Sequence, residues 1–256
     1  MGVNSIIELE RISFSYQGGR PVLDDLCFTM EEGAKLGLIG HNGSGKTTML
    51  HIIMGLLRPS SGTIRAFGKE VKTKRDFLDL RRRIGFLFQD ADDQLFCPTV
   101  LEDVAFGPLN LGKGPAEARQ MAVEVLDRLN LRGFEDRVTH RLSGGEKKLV
   151  ALATVLVMEP DALLLDVPTT GLDEDTNIRI MDLLNSLEIG YIIVSHEYDF
   201  LARTTRHIYS MQKGRIVYDG DSSTLHSHYH RHLMGGFSHH HASLHQTHGP
   251  HTDRGT

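Results

Sequence analysis

Eight consecutive residues, Gly40 to Thr47 (GHNGSGKT), fit the pattern G-x-x-x-x-G-K-[ST] at every fixed position, and no other stretch constrains the chain as tightly. The pattern encodes a phosphate cradle. Gly43 and Gly45 let successive backbone N–H groups turn inward onto phosphate oxygens, Lys46 adds a point charge near the terminal phosphates, and Thr47 offers a hydroxyl to Mg²⁺. With Gly near 7% of average composition, a chance match in a chain of this length is roughly a one-in-a-hundred event. The flanks agree: Ala34 to Ile39 reads as a buried strand, and Thr48 to Leu57 as a helix whose N-terminus adds its dipole to the site.

At 256 residues the chain allows one large domain or two small ones, and the reading favoured is one domain with an inserted subdomain. The net charge of −5 argues against a nucleic-acid surface, and the short runs Lys72-Lys74-Arg75 and Arg81-Arg82-Arg83 read as solvated faces. Cys27 and Cys97 stand far apart in apolar surroundings, which suits reduced, buried thiols of a cytosolic protein better than a disulfide. No segment approaches the ~18 apolar residues of a membrane span, and the N-terminus lacks a signal-peptide pattern, so the expectation is a soluble chain in the cytoplasm.

Ile6 to Tyr16 and Val22 to Met30 alternate apolar and polar positions around Gly18-Gly19, the pattern of an antiparallel pair. Thr63 to Phe67 and Arg83 to Gln89 read as further strands, the second placing Gln89 at its end. From Asp90 to about Arg141 Gly- and Pro-rich connections surround a segment in which Ala118, Met121, Ala122, Val125 and Leu129 share one helical face, the mark of a helical insert. Leu142 to Glu146 (LSGGE) opens another helix, with Ser143 as N-cap and Glu146 completing a capping box. Ala162 to Asp166 is an apolar strand ending in an acid, and Val167-Pro168 is expected to keep the chain extended, because a residue before proline avoids the helical region. Asp173 to Leu187 reads as a helix, Tyr191 to Ser195 as a strand delivering His196, and Ile208 to Asp219 as a hairpin around Lys213-Gly214. Since ligands bind outside the carboxyl ends of parallel strands, Gln89, Asp166, His196 and the phosphate loop can converge.

These segments together resemble the nucleotide-binding subunit of ATP-binding-cassette (ABC) transporters, over residues 5 to about 222. The specific elements are LSGGE at Leu142 to Glu146, ALLLDVPTTGLD at Ala162 to Asp173 and VSHEYDF at Val194 to Phe200. The resemblance implies an α/β fold: a P-loop NTPase core with a mainly parallel sheet, an N-terminal antiparallel β subdomain and an inserted α-helical subdomain. Residues 1–225 then form the ATP-binding domain, with the insert at about 90–160. It implies that ATP is held by Tyr16, stacking on adenine, and by Gly40, His41, Asn42, Gly43, Ser44, Gly45, Lys46, Thr47 and Thr48. Mg²⁺ falls to Thr47, Gln89 and Asp166, the last a hard oxygen ligand. Gln89 looks like the glutamine that senses Mg²⁺ and the γ-phosphate, His196 like the switch histidine on that phosphate, and Asp173 like the aspartate that communicates across a dimer. Ser143, Gly144, Gly145 and Glu146 would close over ATP held by a second subunit, so the implied assembly is a homodimer or a heterodimer with a paralogous ATPase. Asp92 to Gly112 resembles the insert of energy-coupling-factor importers of cobalt and nickel. There a surface including Leu95 and Phe96 would accept a short helix of a transmembrane subunit, placing the chain peripherally on the cytoplasmic face of the membrane.

One departure outweighs the matches. Where the family usually places a glutamate to polarise the attacking water, directly after Asp166, this chain has Val167. A positioned base contributes about 10²–10⁴-fold, so the site is expected to bind MgATP and cleave it slowly. Glu146 in place of glutamine and Leu149 in place of a basic residue are milder departures. Residues 226–256 are different in kind: few are apolar, and ten of the fifteen histidines fall there, at His226, His228, His230, His232, His239, His240, His241, His245, His248 and His251. The composition suits a tail without a packed core, and imidazole suits Ni²⁺ or Co²⁺. A solvated spacer and an affinity tag are the other readings, although only 239–241 are contiguous. Three functions follow: the motor subunit of a metal-ion importer, a catalytically weak partner that lends LSGGE to a competent paralogue, and a soluble ABC ATPase. The last normally carries two cassettes or a long coiled coil, and this chain has neither.

Overall fold

The computed structural model describes residues 4–169 and 171–222. Two sheets organise them. β1 (Ser5–Ser15) and β2 (Pro21–Glu31) pair antiparallel, with Ile7 opposite Met30 and Leu9 opposite Phe28. β4 (Ser61–Ala66) and β5 (Lys69–Glu70) extend this sheet in the order β2-β1-β4-β5. Its alternating pattern leaves one face to water, as an antiparallel sheet permits.

In the second sheet β3 (Lys35–Ile39) lies between β9 (His207–Gln212) and β8 (Gly190–Val194), followed by β7 (Ala162–Asp166) and β6 (Ile84–Leu87), all parallel. β10 (Arg215–Asp221) closes one edge antiparallel to β9. Strands β6, β7 and β8 are buried along their whole length, which is why they read as continuous apolar runs rather than as alternation. One face, through Leu163, Leu165, Tyr191 and Ile193, packs on α3 (Val100–Asn110), α4 (Pro115–Arg128) and α5 (Gly144–Leu156). The other face, through Leu164, Ile192 and Val194, packs on α1 (Lys46–Ile53) and the first sheet. α2 (Lys74–Arg81), α6 (Glu174–Ser186) and α7 (Tyr198–Thr204) complete the α-helices of the described residues.

Several expectations are corrected. The helix after the phosphate loop spans Lys46–Ile53, not Thr48 to Leu57. It stops early because Gly55 turns at φ 64°, where a side chain would collide with the Phe77 ring. The strand before Gln89 ends at Leu87, so Gln89 lies two residues beyond sheet pairing. Val167 is not extended: its φ is 46°. The proline rule excludes the right-handed helical region, but burial of the Val167 side chain and its amide bond to Val194 O at 3.0 Å fix a turn instead.

Cys27 is exposed, because it sits between the inward-facing Leu26 and Phe28 on an alternating strand. Cys97 is half-buried, its thiol pushed up to about 11 by burial and by Asp103. Nor are all the basic runs idle. Arg81 donates to the carbonyls of Met54 and Gly55, and Arg83 pairs with Asp161 at 2.6 Å while lying over the Phe67 ring. The histidines from 226 onward lie outside the described residues.

Candidate nucleotide site

The loop between β3 and α1 forms because glycine is required at its sharpest points. At Gly40 (φ 148°) a Cβ would fall on the carbonyl of Met211, and at Gly45 (φ 109°) it would lie 2.7 Å from Leu23 Cδ2 and 2.9 Å from Val22 O. A recess of about 570 Å³ opens beside it, lined by residues that include Tyr16, Asn42, Gly43, Gly45, Lys46, Thr47, Thr48, Gln89, Val167 and His196. Sequence-distant Tyr16, Gln89 and His196 are therefore brought to the phosphate loop. Asp166 stands behind them, only 1% exposed.

Lys46 donates to the carbonyls of Gly40 (2.7 Å) and His41 (3.1 Å), which holds its ammonium inside the cradle. Burial pulls its pKa below the ordinary lysine value, with Asp166 acting against that shift. Asp166 moves the other way: burial raises it, opposed by a hydrogen bond from the Thr47 hydroxyl and by the charges of His51, Lys46 and Lys148. Its Oδ1 is buried without a hydrogen-bond partner. A buried, unpaired carboxylate oxygen beside a threonine hydroxyl is a donor set that fits a hard divalent cation. Burial, then Lys46 and His41, lower the pKa of His196, which favours the neutral ring, a donor at one nitrogen and an acceptor at the other.

Tyr16, 51% exposed, turns its ring edge-on to Phe14 at 4.9 Å and its hydroxyl to Thr48 Oγ1 at 3.3 Å. Half-exposed, the residue also lines the recess beside the phosphate loop. Val167 lines the same recess, and its isopropyl side chain offers no proton acceptor.

The LSGGE segment does not join this recess. Ser143 caps α5 by accepting from Glu146 N, and Glu146 accepts from Ser143 N at 2.8 Å. Arg137 donates to Glu146 at 2.7 Å and stacks on the Phe134 ring. The Ser143 N–H bond, with help from Arg137, lowers the pKa of Glu146. The box leaves the amides of Gly144 and Gly145, the first two of the helix, without intrahelical acceptors. Asp173 caps α6, accepting from Thr176 N and Thr176 Oγ1, each at 2.8 Å.

Of the pair expected on the surface, only Phe96 is there. Leu95 is buried, whereas Phe96 is 66% exposed and packs edge-on to the exposed Phe106 at 4.8 Å. The backbone under Phe96 is fixed by Asp103, whose Oδ1 accepts from the amides of Phe96 and Cys97. Sequence reading missed Lys148 and Gln94, both of which bind the segment around Gln89 from the α5 side. A lysine opening the otherwise apolar run LVALA was the available signal.

Comparison with known proteins finds relatives over most of the chain. The sequence pattern of the family described as "ABC transporter" matches residues 23–170. The chain is 52% identical to a putative ABC transporter ATP-binding protein of Nitratidesulfovibrio vulgaris, over 98% of this chain and 93% of that one. It is 39% identical to the cobalt import ATP-binding protein CbiO of Rhodobacter capsulatus, over 86% and 80% of the two chains. Among solved structures, cbiO1 of Clostridium perfringens, part of the transporter complex cbiONQ, superposes with a TM-score of 0.79 at 35% identity, covering 88% of this chain and 91% of that one.

Proposed function

This chain belongs to the ABC transporter family as an ATP-binding subunit, and from that premise we propose that it powers a membrane importer of cobalt or nickel ions through ATP-driven dimer closure. The observation that carries the reading is a division of labour. The phosphate loop, Gln89 and His196 share one recess, while the open amides of Gly144 and Gly145 belong to another part of the chain that does not line it. A helix start with unspent N–H groups suits a phosphate, and a second ATPase subunit supplies one. In this reading Lys46 and the loop amides hold the phosphates, Tyr16 stacks on the base, and Thr47, Gln89 and Asp166 hold Mg²⁺, which neutralises charge on the phosphates when bound. Asp173 communicates with the second subunit.

The exposed Phe96 and Phe106 pair would receive a short helix of a transmembrane subunit, which keeps the chain peripheral on the cytoplasmic side; no helix among the described residues is long and apolar enough to cross a membrane itself. Residues 1–225 form the ATPase domain, with the helical insert at about 90–160, and the histidines of 226–256 collect Ni²⁺ or Co²⁺.

Val167 favours a second reading: the working unit is asymmetric, and this chain lends Ser143 to Glu146 to a paralogue with a complete site. Co-purification with the membrane subunits, followed by metal uptake into proteoliposomes with and without ATP, tests the main reading. Uptake that ignores ATP would overturn it. Subunit identification in the same sample decides between one ATPase species and two.

A further inference from the structure

We propose that Lys148 is a positioning residue that latches Gln89 to α5, so that the segment facing the terminal phosphate of this chain's own nucleotide and the helix start serving the second nucleotide move as one unit. The inference rests on the nucleotide reading above, but its evidence is the latch itself.

Sheet pairing ends at Leu87, opposite Leu165, so nothing in the sheet holds Gln89. The hold comes from α5 instead. Lys148 is only 4% exposed and donates to Gln89 O at 2.7 Å and Phe88 O at 3.2 Å. Gln94 completes the strap: its Oε1 accepts from Phe88 N, and its Nε2 donates to Ala151 O and Thr154 Oγ1, both at 2.8 Å. Both backbone groups of Phe88 are therefore committed, one through Gln94 and one through Lys148. Lys147 adds an outer tie to Asp92 at 2.6 Å.

A lysine normally lays its stem along the surface and keeps its ammonium in water. Burying that ammonium costs free energy unless acceptors surround it, and here the acceptors are the carbonyls of the residues that aim Gln89. The charged groups facing it are Asp90 and Asp166, so the latch also keeps a cation behind the acid of the site. Three residues earlier in the same helix stands Gly145, whose open amide belongs to the other function of α5. A displacement of Gln89 is thus passed to the helix start through two hydrogen bonds rather than through a flexible loop.

The test is hydrogen–deuterium exchange and nucleotide binding on the full chain, comparing wild type with Lys148→Met, which keeps length without donors, and Lys148→Arg, which keeps donors. A hydrogen bond from a charged donor implies that losing it raises local opening by about tenfold or more. Lys148→Met should therefore exchange residues 88–94 about tenfold faster. Its affinity for Mg²⁺-free ATP should stay at the wild-type value, while the gain in affinity on adding Mg²⁺ shrinks at least about threefold. In wild type MgATP should slow exchange of 88–94 and 143–150 together, and in Lys148→Met the 143–150 response should disappear, with Lys148→Arg restoring it. Unchanged protection of 88–94 in Lys148→Met, or an unchanged response at 143–150, overturns the proposal. If Lys148→Met does not fold, Lys148→Leu, shorter and also without donors, takes its place under the same criteria. Wild-type protein that binds no ATP would refute the nucleotide reading, while exchange at 88–94 would still decide whether the latch exists.

Discussion

The amide of Val167 donates to the carbonyl of Val194 at 3.0 Å, and Val167 makes this bond from a backbone with φ 46°. A β-branched side chain is a poor choice for positive φ, so glutamate, unbranched at Cβ, should enter this position without added backbone strain. Val167→Glu should therefore raise ATP turnover in the assembled complex at least about tenfold, out of the 10²–10⁴ that a positioned base supplies. ATP affinity should change little. Turnover is measured for each protein alone and with its partners. Brisk hydrolysis by the wild-type chain alone would show that another group positions the water.

Lys46 places its ammonium inside the loop, on the carbonyls of Gly40 and His41. Lys46→Ala should weaken ATP binding about ten- to a hundredfold, the equivalent of a charge-assisted hydrogen bond. The chain has no tryptophan, so a fluorescent ATP analogue is the probe, and unchanged affinity would remove the assignment.

Asp166 is buried with one oxygen unpaired, and its pKa is raised. The folded state therefore takes up the Asp166 proton at a higher pH than the unfolded chain does. The charged form is a cost that is fully present at neutral pH and relieved as pH falls through the raised value. Asp166→Asn should remove that cost and raise the thermal midpoint. The same variant should lose Mg²⁺-dependent ATP binding. A lower midpoint would show that Asp166 is stabilised by its surroundings.

Arg137 neutralises Glu146 at the helix start proposed to meet a second subunit's phosphate. As a surface pair it is worth only about 0–1 kcal/mol of stability, so its effect should appear in assembly. Arg137→Gln should weaken ATP-dependent dimerisation, and adding Glu146→Gln should restore it. Sedimentation velocity with MgATP reads both, and failure of the double variant to recover would mean that Arg137 acts some other way.

Removing residues 226–256 should abolish the binding of several Ni²⁺ ions per chain in calorimetry while leaving ATP affinity at the wild-type value. Retained stoichiometry would place the metal elsewhere.

The sequence by itself determined the phosphate loop, the capping box of Ser143 and Glu146, and the buried strand ending at Asp166. Each is local: glycines at forced turns, a cap three residues from its partner, an apolar run of strand length. It also shows that a valine, Val167, follows Asp166, because a residue within a motif is visible without coordinates. Only the tertiary structure decided the backbone at Val167, where a bond to a neighbouring strand outweighed the extended conformation expected before proline. It likewise separated Leu95 from Phe96, since which of two adjacent apolar residues faces water depends on what packs above them, here Asp103 beneath the loop and Phe106 beside it. Lys148 was illegible for the same reason. Its acceptors, Phe88 and Gln89, lie some sixty residues earlier in the chain, and no local pattern tells a lysine that its carbonyl partners will be brought to it by the fold.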